Sequence, residues 1–117
     1  MRRREFITFL AILFTACIGV TATQAKSDCA LMLKLAQEHS NSMAQRNSLD
    51  HAGFASRARR GARAENVAYG YSTKAATIGQ WRRSPPHAAN MLLPGCKAVA
   101  SAVSRSGRRY WTMEIGR

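Results

Sequence analysis

Set aside the first 25 residues and this chain keeps two cysteines, Cys29 and Cys96, in a stretch with room for one hydrophobic core and no more. Those first residues read Met1-Arg2-Arg3-Arg4-Glu5, then an uncharged run from Phe6 to Val20, then Thr21-Ala22-Thr23-Gln24-Ala25. A basic start, an apolar stretch and small residues before a cleavage point make a secretory signal peptide. The apolar stretch falls short of the roughly 20 residues that a membrane-spanning helix needs. Cleavage is expected after Ala25, leaving a single domain over residues 26–117 that is secreted or periplasmic. Lipoprotein anchoring at Cys17 is the lesser alternative, because Phe14 is a poor opening residue for such a box and the residues after Cys17 are apolar. With Cys17 removed, Cys29 and Cys96 either pair as a disulfide, tying the first helix to the last third of the chain, or stay as two buried thiols.

The whole chain carries a formal charge of +12, with 18 basic and 6 acidic residues. Excess charge of one sign selects anionic partners, such as an anionic envelope component or lipid. Arg57, Arg59, Arg60 and Arg63 form one cluster, Arg82 and Arg83 a second, and Arg105, Arg108 and Arg109 a third. No aromatic side chains alternate with the first cluster as base-stacking platforms, so nucleic acid is not the expected partner and a solvated basic surface is.

From Ser27 or Asp28 as N-cap, Leu31, Met32, Leu35, Ala36 and Met43 recur at three- and four-residue spacing, which predicts an amphipathic helix fading near Asn47. His39 lies on it outside every motif and reads as a partly exposed helix residue. Phe54 to Arg60 allows one or two helical turns, the stretch through Gly61 reads as loop, and Asn66 to Tyr69 as a brief strand. Ser72 or Thr73 caps a helix that Pro85 ends, and Ser84 caps a second short one with Pro85 at its first position. The tail alternates through Val99–Val103 and Tyr110–Ile115 about a loop at Ser104–Arg108, a hairpin whose first strand is small on one face. The whole predicts an α+β fold, a three-layer α-β-α sandwich around a small, mainly antiparallel sheet.

Three polar islands hold the chemistry: Leu49-Asp50-His51-Ala52-Gly53-Phe54, Ala64-Glu65-Asn66, and Trp81-Arg82-Arg83-Ser84-Pro85-Pro86-His87-Ala88-Ala89-Asn90. Together they resemble the CAP superfamily of cysteine-rich secretory, antigen 5 and pathogenesis-related 1 proteins, also known as the SCP domain. The Ser84-Pro85-Pro86-His87-Ala88-Ala89-Asn90 segment is similar to the small bacterial members. The resemblance spans Leu31 to Gly116, although the segment between Phe54 and Glu65 is short for the family. It implies that His51, Glu65 and His87 face a common cleft that can hold a divalent metal. The family's fourth ligand, a glutamate, is replaced here by Ser84. Two imidazoles and one carboxylate make a zinc site only if they converge at about 2.0–2.2 Å with water completing the set.

Other uses of the same residues follow from their chemistry. Ser84 and His87 are close enough along a helix for contact, but Ser84 has a capping task and no Gly-x-Ser-x-Gly elbow is present. Glu65 with the histidines can serve as acid and base or as a structural hydrogen-bond network. Asn66 and Asn90 read as scaffold around the cleft. The expected function is an exported, monomeric ligand- or envelope-binding module. A protease-like hydrolase in the same cleft, or a basic envelope-active protein acting through charge, are the alternatives.

Overall fold

The computed structural model describes residues 22–117, with side chains from Asp28 onward. Cys17 and the leader up to Thr21 lie outside the described residues. In chain order come helices α1 (Ala22–Arg46) and α2 (Phe54–Arg59), strand β1 (Ala62–Tyr69), helices α3 (Lys74–Arg83) and α4 (Pro85–Met91), and strands β2 (Lys97–Val103) and β3 (Arg109–Gly116). The strands form one antiparallel sheet in the order β1-β3-β2, in keeping with the expected α+β architecture.

Two boundaries differ from expectation. The first helix already includes Ala22, the first described residue, ahead of the Ser27 or Asp28 cap, because alanine, glutamine and lysine favour helix and no glycine or proline interrupts Ala22–Asp28. β1 starts at Ala62 rather than Asn66, because it pairs with β3 along its whole length, from Ala62 opposite Gly116 to Tyr69 opposite Tyr110. Strand partners override local preference here. The helix does end where expected: Asn47 takes a left-handed conformation with φ 50°, and the Tyr110 hydroxyl donates to its Oδ1 at 2.9 Å.

β3 is central, so side chains on both its faces are buried. Glu65 and Val67 of β1 share one face with Glu114 and Thr112, their partners in register, and with Ala98 and Ala100 of β2. α1 covers this face. Met43 and Ala44 pack on Val67, Tyr110 and Ala102, while Met32 and Leu35 pack on Ala62 and Ala98. The alanines let the helix sit close, and the Ser40 hydroxyl reaches Thr112 Oγ1 at 2.8 Å. On the opposite face Trp111, Met113 and Ile115 meet Trp81 and Ile78 of α3 and Met91 of α4. Full burial of Leu35, Met43 or Ile115 stabilises by about 1.5–3 kcal/mol each.

Two devices close the ends. Cys29 and Cys96 form a disulfide with Cα atoms 5.3 Å apart, joining α1 to the residue before β2. Beside it Gly95 has φ 116°, and a Cβ there would lie 2.0 Å from the Gly116 carbonyl oxygen, so only glycine fits. At the outer edge of β1, Trp81 Nε1 donates to Val67 O at 3.1 Å, and α3 covers an edge that would otherwise be open to pairing. Among the described residues no helix is long and apolar enough to cross a membrane.

Candidate functional site

Glu65 and Asn66 are neighbours in a strand, so their side chains leave opposite faces of the sheet. That parity divides the expected cleft residues into two networks. One lies on the α1 face around Glu65 and the other on the α4 face around Asn66.

In the first network Glu65 Oε1 accepts from His51 Nδ1 at 2.8 Å and from Arg57 Nη2 at 3.0 Å, and Oε2 accepts from Arg57 Nε at 2.6 Å. A carboxylate can only accept, so His51 donates from Nδ1. Asp50 braces the loop that carries His51: it accepts from Ala52 N at 3.0 Å in an Asx turn and from Arg46 Nη1 at 2.7 Å. The hydrogen bond from Arg46 holds the Asp50 carboxyl well below the usual carboxylate range, with Ala52 and Ser48 adding to it.

Two side chains in this network were expected elsewhere. Arg57 is not part of a solvated basic surface: it is 8% exposed, and besides Glu65 it donates to Ala52 O at 2.8 Å. His39 is not partly exposed but 2% exposed. It donates from Nε2 to Asp50 O at 2.8 Å and lies 3.6 Å from Glu65 Oε1. Its pKa is lowered, chiefly by burial. Both were missed because a charged residue reads as surface until a buried carboxylate claims it.

Glu114 is the third unexpected member. It stands opposite Glu65 in register, is 0% exposed, and has Oε1 3.3 Å from Arg57 Nε. That N–H is already donated to Glu65, and neither Glu114 oxygen has a hydrogen-bond partner of its own among the described residues. One guanidinium cannot balance two carboxylates facing each other, so the Glu114 carboxyl holds a proton. Burial, then the neighbouring Glu65, raises its pKa to about 10. For Glu65 burial acts upward, but the neighbouring Glu114 and the hydrogen bonds from Arg57 and His51 outweigh it and the pKa falls. The sequence signal was the alternation of the last strand, which puts Glu114 on the same face as Thr112 and Tyr110, under the first helix.

On the other face Asn66, fully buried, donates to His87 O at 3.1 Å and accepts from Asn90 Nδ2 at 2.9 Å. These bonds pin α4 to β1. Ser84 stands at the N-cap position, yet its side chain makes no capping bond and lies 2.8 Å from His87 Nδ1. Pro86 at the second helical position has no N–H to offer, which removes one of the two usual capping donors, and the hydroxyl meets the imidazole. Burial, then the positive potential of His51, lowers the His87 pKa and keeps the ring neutral near pH 7. Beside it an open cleft of about 390 Å³ is lined by Leu49, Val67, Tyr69, Tyr71, Gln80 and His87.

A model of the cysteine-rich secretory protein family, CAP, matches residues 22–115. The chain belongs to this family. No curated protein and no solved structure matches it.

The metal chemistry that the CAP pattern implies meets a specific obstacle in this CAP domain. Glu65 has both oxygens engaged by Arg57 and His51 and points to the α1 face, while His87 is held on the α4 side. Among the described residues no three His, Cys, Asp or Glu side chains are grouped to hold a metal ion. The arrangement therefore does not fit a zinc centre built from His51, Glu65 and His87 together.

Proposed function

We propose that this CAP domain is an exported binding module, secreted or periplasmic and monomeric, whose cleft beside His87 takes a small ligand with an apolar body and a polar head. The observation that carries this reading is the cleft itself: apolar and aromatic walls from Leu49, Val67, Tyr69 and Tyr71, with two polar side chains, Gln80 and His87, to orient what enters. The engagement of Glu65 by Arg57 and His51 favours binding over acid–base catalysis, since no carboxylate is free to move a proton in the cleft. Arginines without an ion-pair partner among the described residues, Arg82, Arg83, Arg105 and Arg108, support approach to an anionic envelope component or lipid surface. The disulfide supports export, which N-terminal sequencing of the secreted form tests by a start at Lys26.

The binding test is a titration of the cleaved protein with octanamide and octanoate, followed by NMR. Saturable shifts at Val67, Ala68, Tyr69 and the His87 ring, lost in His87→Ala/Tyr71→Ser, are expected. Shifts spread over the whole surface, or none with either compound, would refute the cleft as a ligand site.

A second reading, hydrolysis at the same cleft, draws on the Ser84–His87 contact, in which a hydroxyl freed from capping meets a neutral imidazole. It requires turnover of an activated ester such as p-nitrophenyl octanoate that Ser84→Ala abolishes while binding of octanamide persists.

A further inference from the structure

A second chamber, of about 230 Å³, lies between α1 and α2, with buried His39 and Arg57 among its walls. It sits on the α1 side of the Glu65 network, while the cleft beside His87 opens at the β1 edge. Glu38, Gly53, Ser56 and Arg60 complete the part of its lining that matters here.

Arg57 brings five N–H donors. Nε and Nη2 serve Glu65 and the His51 carbonyl, and Nη1 spends one hydrogen on Ala52 O. The second Nη1 hydrogen has no acceptor among the described residues. Gly53 is what leaves it uncovered: a Cβ there would come within 3.1 Å of Nη1. The guanidinium is also fixed in place, because its side chain is 10% exposed and locked on the opposite edge by Glu65. A preorganised donor loses little entropy when a ligand binds.

At the mouth Arg60 Nη1 donates to Glu38 Oε2 at 2.9 Å, with both side chains more than 40% exposed. Such a surface pair contributes on the order of 1 kcal/mol or less, so an anion can displace the Glu38 carboxylate from Arg60. The Ser56 hydroxyl, exposed on the same helix and without a partner among the described residues, supplies one more donor.

We propose that this chamber is a binding site for a small oxyanion, held by the spare Nη1 hydrogen of Arg57, the Ser56 hydroxyl and Arg60, with Glu38 as the internal carboxylate that the ligand replaces. The site gives the basic cluster of the second helix a definite geometry: Arg57 forms its back wall, Arg60 its movable front, and Arg59 takes no part in the lining. The volume exceeds that of a bare tetrahedral oxyanion and leaves room for the first atoms of a monoester.

Inorganic phosphate is the probe, titrated into the cleaved protein and followed by NMR at the Gly53 amide, the Arg57 side-chain nitrogens and the His39 ring. One-to-one saturation at these positions is expected. Glu38→Gln removes the competing carboxylate and tightens binding about fivefold, while Arg60→Gln weakens it by a similar factor. Arg83→Gln removes the same charge far along the chain and serves as the control, leaving the affinity unchanged. The proposal is overturned if phosphate does not saturate, if Arg60→Gln and Arg83→Gln act equally, or if Glu38→Gln fails to tighten binding. Each of these outcomes would mean diffuse attraction to a basic surface.

Discussion

Replacing Arg57 by methionine tests the central physical claim about this domain, that a buried guanidinium holds the Glu65 network together. The substitution keeps most of the apolar stem but removes two charge-assisted bonds to Glu65, at 2.6 and 3.0 Å, and the donor to Ala52 O at 2.8 Å. Glu65, 6% exposed, then keeps only the hydrogen bond from His51 among the described residues. Breaking a buried ion pair from one side costs about 3–5 kcal/mol, because the remaining charge is stranded. Methionine packing and protonation of Glu65 return part of this, so a net loss of about 3 kcal/mol is expected, a large share of the roughly 5–15 kcal/mol that stabilises a domain. Urea unfolding at pH 7, read by the fluorescence of buried Trp81 and Trp111, measures it. Glu65→Gln in the Arg57→Met background removes the stranded charge, and the double mutant should lose at least about 2 kcal/mol less than the sum of the single mutants. A loss below about 1 kcal/mol for Arg57→Met, or strict additivity with Glu65→Gln, would refute the reasoning and return Arg57 to the solvated surface.

Two further outcomes follow from the same structure. Reducing the disulfide, or replacing both cysteines by alanine, opens a loop with a sequence separation of 67 and should destabilise by roughly 4 kcal/mol, seen as a lower urea midpoint at an m-value that rises as the denatured state expands. Glu114 sets a pH dependence of known sign: its folded pKa, about 10, lies above the ordinary 4.5, so the folded state holds a proton that the unfolded state has released. The contribution is fully present below pH 4.5 and is lost as pH rises toward 10, at a slope of at most about 1.4 kcal/mol per pH unit. Urea midpoints at pH 6, 7 and 8 should therefore fall for the wild type and stay nearly level for Glu114→Gln, and equal slopes in the two proteins would remove the proton from Glu114.

Much of the framework was open to reading because it depends on local rules. Thr73 caps α3 with its hydroxyl accepting from Ala76 N at 3.1 Å, as its place before a helical run suggested. The alanine face of β2 and the alternation of β3 predicted a helix lying close on one side of a hairpin, and α1 does so. The site was legible in its residues but not in its grouping. His51 and Glu65 meet, and Ser84 and His87 meet, yet Glu65 turns its carboxylate to Arg57 on the α1 face while Asn66, leaving the other face, holds the His87 backbone. Strand parity at Glu65 and Asn66 would have shown this, had the strand been recognised as starting at Ala62.

What the sequence determined by itself was the order of helices and strands, the family and the set of polar residues with chemistry to offer, because periodicity, caps and motif spacing act over a few residues. The tertiary structure alone decided which charges are buried. His39, Arg57 and Glu114 come from a helix, a short second helix and the last strand, and no local pattern marks them as partners. They meet because sheet register places Glu114 opposite Glu65, and a carboxylate pair removed from water requires both a proton and a guanidinium.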